Sequence, residues 1–510
     1  AGRRTTGGGR MTWTAWVPVL VLLTSLVPAV VILLLPERRE RLRTALNLAG
    51  AAAKVALVVA LVGPVVDGRR PEVRVPFLPD VDLVLRVEPF SLYFLGLSAF
   101  LWLVTTVYAV GYLRDHGHHR SRFFGFFSLC VVATSGVALS GNLVTFVVFY
   151  ELLTLATYPL VAHEQTPAAL RGARTYLRYT LVGGVALLLG AVWLTVLVGP
   201  VEFADRGSPA VAALAASDPG TLRLVVALML GGLAVKAALV PVHGWLPKAM
   251  VAPAPVSALL HAVAVVKAGV FGIVLVVDMV LGVQVAEDLG VLLPLTVVAC
   301  VTILWGSVRA LAQDGLKARL AYSTVSQVAY VTLGVSLASV AGTTGGVVHI
   351  VHQGLMKITL FFCAGLLTHT LGLTRISQLT GVGRRMPLTC AAFTVAALGM
   401  IGIPPVAGFV TKWSLGEGAL DAGRPWVVAV LVASSLLNAA YFLPVVARMW
   451  WGKAEPGAVL PRPVGPEAPW SMLGPALFTA ACSIAVAVGA GLPFSPLSIA
   501  RSIVEEGWWP

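Results

Sequence analysis

Charge is what this 510-residue chain has least of: Asp, Glu, Lys and Arg together make up 12% of it, against 58% hydrophobic residues. A soluble domain carries about 25% charged residues, so a water-solvated globule is excluded and lipid is the solvent. Cysteine is also scarce. Cys130, Cys300, Cys363, Cys390 and Cys482 fall inside apolar runs at wide, unpatterned separations, which excludes a disulfide framework or a CxxC metal site and leaves them as small packing residues. No GxGxxG follows a strand and no haem-attachment motif is present. Nucleotide, iron–sulfur and haem chemistry are therefore not expected of this chain, and neither is a cofactor or a metal.

What is present is a succession of apolar runs near the ~20 residues needed to cross a bilayer. Spans are expected near 12–35, 44–66, 89–113, 123–140, 142–162, 175–199, 222–247, 251–282, 288–312, 315–340, 344–371, 389–415, 425–451 and 471–493. Runs such as LRLVVALMLGGLAV are apolar on every side, unlike the alternating strands of a membrane barrel. The expected fold is thus all-α and polytopic, with about fourteen transmembrane helices. The polar segment from Asp67 to Glu88 is expected to form a short extramembrane β element.

Lys and Arg outnumber Asp and Glu by 36 to 23, giving a formal charge of +13. Their placement explains the excess without nucleic acid. Loops after odd-numbered spans hold nineteen, including Arg38, Arg39, Arg41, Arg114, Arg120, Lys248, Arg375, Lys453 and Arg462, whereas loops after even-numbered spans and the tail hold eight. By the positive-inside rule the odd loops are cytoplasmic and both termini face outward, in a bacterial-type cell membrane. Arg3, Arg4 and Arg10 oppose that orientation, and Met11 is a plausible natural start.

Six cations remain in the spans, Lys54, Arg178, Lys236, Lys267, Lys357 and Lys412, together with one mid-span acid, Glu151. A charge at the bilayer centre costs ~3 kcal/mol, so such residues face a wet or paired interior and mark ion paths. Lys54 and Arg178 lie near the expected helix starts and are expected to snorkel to the interface. For the deeper residues the alternative is a static ion pair. Lysine favours transport chemistry because, unlike arginine, it can lose its proton. Glu151 close to Lys236 would hold the lysine's proton, and their separation would release it. His261, six positions before Lys267 on what is expected to be the same helix, and His349 and His352, one turn apart, extend the row, although histidine also serves as an interhelical hydrogen-bonder.

Two helices are expected to be broken: the seventh, where Pro241 follows Lys236, and the twelfth, where Pro404 and Pro405 precede Lys412. Opened backbone at membrane depth is tolerated where it lines a cavity or is buried in protein. Breaks five helices apart suggest two repeats, spans 4–8 (123–282) and 9–13 (288–452), after an N-terminal unit (1–122) and before a last helix and tail (453–510).

The segments FYELLTLATYPLVAHE, KAALVPVHGWLPKAMVAPAPVSALLHAVAVVKAGVF, LKARLAYSTVSQVAYV, HIVHQGLMKITLFFCAG and GIPPVAGFVTKW resemble the antiporter-like subunits shared by respiratory complex I, membrane-bound hydrogenases and Mrp-type cation/proton antiporters. The resemblance runs from about Glu88 to Trp451. It implies two inverted five-helix repeats, each forming half of a proton channel. It further implies that Glu151 and Lys236 are the ion pair, that Lys267 with His261 passes protons inward, that His349 and Lys357 continue the central axis, and that Lys412 is its terminal residue. Many relatives have a histidine four residues before the eleventh-helix lysine; this chain has Gln353 there, beside His352. The wording is most similar to the D-type Mrp subunit, and the largest complex I member and the A-type Mrp subunit, which the resemblance marks by a long lateral helix after the fourteenth span, are not expected. The implied function is proton translocation within a multi-subunit Na+/proton antiporter, with other membrane subunits as partners. The alternative is a proton-pumping subunit of an NADH-quinone oxidoreductase or hydrogenase, and an independent solute transporter is disfavoured by the titratable row.

Overall fold

A computed structural model describes residues 16–114, 119–452 and 467–509. Arg3, Arg4, Arg10, Met11, Lys453 and Arg462 lie outside the described residues. Because hydrocarbon offers the backbone no hydrogen-bond partners, apolar runs close their own bonds as helices. The membrane elements in chain order are α1 (Val17–Leu34), α2 (Glu40–Val66), α3 (Pro89–Tyr112), α4 (Arg120–Ala138), α5 (Leu143–Val161), α6 (Pro167–Val198) and α7 (Pro219–Lys236). They continue with α8a (Ala254–Ala262), α8b (Val265–Val274), α9 (Leu292–Leu311), α10 (Leu316–Ser336), α11 (Val340–Leu371), α12a (Pro387–Ile401), α12b (Ala407–Asp421), α13 (Trp426–Trp451) and α14 (Trp470–Val488).

Twelve of these crossings, counting Ala254–Leu281 as one, are long and apolar enough to span a bilayer. The other two are α10, which carries Ser323, Gln327 and two cations, and the interrupted α12. Among the described residues fourteen elements therefore stand where fourteen were expected. The boundaries differ where caps decide them. Thr166 accepts from the Ala169 amide and Pro167 opens α6, so that helix begins eight residues before the expected 175. Without a side-chain cap, α2 also starts early, at Glu40 rather than 44.

The two expected breaks are real: α7 stops at Lys236, and α12 opens between Ile401 and Ala407. A third was not expected. Helix 8 is interrupted at Val263–Ala264, where Ala264 takes φ −88° and ψ −91°, so His261 and Lys267 are not on one continuous helix as the sequence suggested. Beyond α8b the chain widens into π-helix at Leu275–Leu281. Other short helices also went unforeseen, among them Pro209–Ser217 and Pro496–Ser502. The latter docks the C-terminal segment, with Trp508 edge-on to Phe90 at 5.1 Å.

The expected β element is present as a hairpin, β1 (Glu72–Leu78) antiparallel to β2 (Val81–Arg86), with a register shift between Pro76 and Leu78. It joins other even-numbered loops on one face through bridges Leu85–Ser140 and Asn142–Glu202. The odd loops meet on the opposite face, for example Gly315 with Arg375 and Lys317 Nζ with the Ala252 carbonyl at 2.8 Å. The apolar stretches of helix 8 and α11 are almost wholly buried, whereas only about a third of those of α2, α6 and α13 is buried. Helix 8 and α11 thus form the centre, and the row of ionisable residues runs along them.

Candidate functional site

Glu151 lies on α5 and Lys236 is the last residue of α7. Lys236 Nζ stands 3.8 Å from Glu151 Oε1, donates to the Tyr150 carbonyl, and sits 3.3 Å above the Tyr150 ring. Lys236 is fully buried, while the Glu151 side chain is 27% exposed. Space for the carboxylate comes from Gly184 on α6, where a Cβ would collide with it. On the other side, Gly269 of α8b approaches the Lys236–Ala237 backbone so closely that a Cβ would overlap it. The break after Lys236 and the lysine-bearing half of helix 8 therefore touch.

Lys267, on α8b, is fully buried, and its ammonium has no hydrogen-bond partner in the protein. It lies within electrostatic reach of Lys357 and His349. His261 is also buried, its ring 4.6 Å from the Phe361 ring and tilted by 32°, with both nitrogens unbonded. On α11, Lys357 donates to Ser323 Oγ and, at 3.2 Å, to the Leu320 carbonyl. His349 meets the Tyr330 ring at 5.2 Å. His352 Nδ1 is 3.0 Å from Thr411 Oγ1 of α12b, and the neighbouring Gln353 amide is buried without a partner. Lys412 closes the series: it donates to the Ile401 carbonyl at 2.6 Å, freed by the break in α12, and to Ser435 Oγ at 2.8 Å. Its other side opens on a groove of about 590 Å3 between α12b and α13.

All eight candidate ionisable residues thus lie at or beside the central helices, and Pro241, Pro404 and Pro405 lie in the breaks next to Lys236 and Lys412. Sequence reasoning missed the side chains between them. Tyr330 stands between His349 and Lys412, 5.7 Å from the latter, and bonds Ser434 at 2.7 Å. Ser323, Gln327 and Tyr330 repeat at i, i+4 and i+7 of α10, a polar stripe whose helical spacing is the signal that could have found them.

Lys54 contradicts its expectation. It is fully buried on α2, donating to Ser25 Oγ at 2.8 Å and Ser135 Oγ at 2.6 Å, with Trp102 5.1 Å away. The start of α2 at Glu40 places Lys54 mid-helix, beyond snorkelling range. Arg178 is exposed on α6, as a snorkelling residue would be.

Fourteen helical elements enclosing a buried file of lysines and histidines define a polytopic membrane subunit with an internal polar axis. The chain belongs to the NADH:quinone oxidoreductase/Mrp antiporter, TM family, whose profile matches residues 140–438. It is 35% identical over 483 residues to NADH-quinone oxidoreductase subunit N of Desulforudis audaxviator (strain MP104C), covering 91% of this chain and 94% of that protein. It is 32% identical to a probable K(+)/H(+) antiporter subunit of Rhizobium meliloti (strain 1021), covering 90% of this chain but 46% of that longer protein. Among solved structures, a chain of the Mrp complex from Dietzia sp. DQ12-45-1b superposes with TM-score 0.85 at 26% identity, covering 97% of this chain and 98% of that one. A chain of the membrane-bound sulfane sulfur reductase, an archaeal respiratory membrane complex, shares the fold at TM-score 0.84 and 22% identity. The structural relatives are thus parts of multi-subunit membrane assemblies.

Proposed function

We propose that this chain is the D-type, proton-translocating subunit of a multi-subunit monovalent cation (Na+)/proton antiporter of a bacterial-type cell membrane. Protons pass between Glu151, Lys236, Lys267, His261, Lys357, His349, His352 and Lys412. The observation that carries this reading is the Glu151–Lys236 pair at 3.8 Å, set where α7 breaks. A counter-charge at that separation stabilises the ammonium strongly in a low dielectric, so a small displacement of Glu151 changes proton affinity at Lys236 by a large amount. Buried polar groups are ordinarily hydrogen-bonded. The unbonded nitrogens of Lys267 and His261 therefore support a hydrated path between the fixed groups. Both ends of the row, Glu151 and Lys412, reach the lateral surface of the chain, which suits neighbouring subunits as partners. The two broken helices support the division into repeats 123–282 and 288–452.

The test is ΔpH-driven Na+/proton exchange in vesicles carrying the assembled complex. Glu151→Ala and Lys236→Ala are each expected to reduce exchange to background with assembly intact, and normal exchange in either would remove the assigned role. The second reading, a pump subunit of an NADH-quinone oxidoreductase, is favoured by the near full-length match to subunit N. It predicts that the vesicles pump protons on NADH oxidation and do not exchange Na+.

A further inference from the structure

We propose that a cleft between the start of α2 and the end of α3 binds the headgroup of an anionic phospholipid. The cleft encloses about 1160 Å3, and its rim carries Arg38, Arg39, Arg41, Arg114 and Arg120. Glu40 is the one acid of the lining, and it stands 3.2 Å from Arg120. Among the described residues Arg38, Arg39, Arg41 and Arg114 take part in no ion pair. Four guanidinium groups without a carboxylate partner around one concavity offer a phosphate several positive charges at once, and charge rather than hydrogen-bond geometry is what the site supplies. The first turn of α2, which faces the same cleft, adds the positive end of a helix dipole.

The wall distinguishes a lipid from free phosphate. Leu42, Leu48 and Val110 line the inner side of the cleft and continue onto the apolar faces of α2 and α3. Leu42 is 45% exposed. A phospholipid with its phosphate at the arginines lays its acyl chains along this wall, whereas an inorganic anion leaves the wall bare. Basic pockets between transmembrane helices on the arginine-rich side are the expected geometry for such headgroups. The site lies apart from the proton row, so its failure and that of the transport reading are separable.

The experiment places the purified complex in phosphatidylcholine nanodiscs doped with a phosphatidylglycerol that carries a diazirine near the glycerol end of one acyl chain. After irradiation, the label is mapped by peptide mass spectrometry. Wild type is expected to carry it on the segments around Leu42–Leu48 and Val110. Each arginine near the surface contributes about fivefold to anionic-lipid preference, so the Arg38→Gln/Arg39→Gln/Arg41→Gln/Arg114→Gln variant should lose the label at least tenfold. The four-lysine variant preserves charge and topology and should keep it. Undiminished labelling of the glutamine variant, loss in the folded lysine variant, equal labelling by a diazirine phosphatidylcholine, or displacement by millimolar inorganic phosphate would each overturn the assignment. Labelling that appears only after the chain is separated from its complex would overturn it too, assigning the cleft to a partner subunit.

Discussion

At the scale of single residues, position in the chain is a good guide to which side chains carry charge into the membrane and a poor guide to what surrounds them. Glu151 and Lys236 are legible as a pair from type and depth, but Gly184, which makes their geometry possible, has no functional group to flag it. Adding one methyl there forces the carboxylate to move. Gly184→Ala is therefore expected to cut vesicle exchange at least tenfold with every titratable residue still present, whereas Gly474→Ala, with no atom near the added Cβ, should leave the rate unchanged. Lys54 reads as an interfacial residue only because the apolar run begins four residues after the helix does. Its two serine partners also donate to the Leu22 and Val131 carbonyls, so removing the amine orphans no hydroxyl proton. Lys54→Ala should instead act through the cavity left behind, lowering stability by about 2–4 kcal/mol. Lys54→Met, which conserves volume, should unfold near the wild-type temperature in a thermal melt of the solubilised protein.

Between elements, the legible part is the pattern that repeats. Apolar length discloses the crossings and proline discloses two breaks, but the break in helix 8 contains neither proline nor glycine at Val263–Ala264, so no local signal announces it. A comparable pattern joins α2 to α4: Ser121, Ser128 and Ser135, seven apart, meet Arg43 at 3.0 Å, Asn47 at 3.1 Å and Lys54 at 2.6 Å. Such interhelical hydrogen bonds fix register where lipid supplies no hydrophobic drive. At the membrane surface the hairpin is held by charge. Arg74 forms a forked pair with Glu202 at 2.6 and 3.0 Å, and Arg86 shares the same carboxylate. The Arg74 hydrogen bonds, with help from Arg86, hold the Glu202 carboxyl below its ordinary value. A depressed folded value means that the stabilisation is complete above the unfolded value of about 4.3 and is lost as pH falls through the folded one. Hydrogen exchange of amides 72–86, corrected for intrinsic rate, should accelerate below about pH 4. In Glu202→Gln it should be fast already at neutral pH.

For the whole molecule, the arginine bias makes a claim that reaches every loop at once. Even loops gather at the hairpin face and odd loops at the face of Lys317 and Arg375, so the orientation of one loop determines all the others. By charge count the odd face is expected to be the cytoplasmic one. The chain is well suited to a direct test, since Cys130, Cys300, Cys363 and Cys390 are buried and Cys482 is half-buried within α14. A membrane-impermeant maleimide should therefore find little background. Phe77→Cys, at an exposed position of β1, is expected to react in intact cells. Ala312→Cys, exposed after α9, should react only in inverted vesicles. The opposite pattern would turn the chain over in the membrane. It would leave the Glu151–Lys236 geometry untouched, because that pair lies within the helices and takes no part in the loop charges.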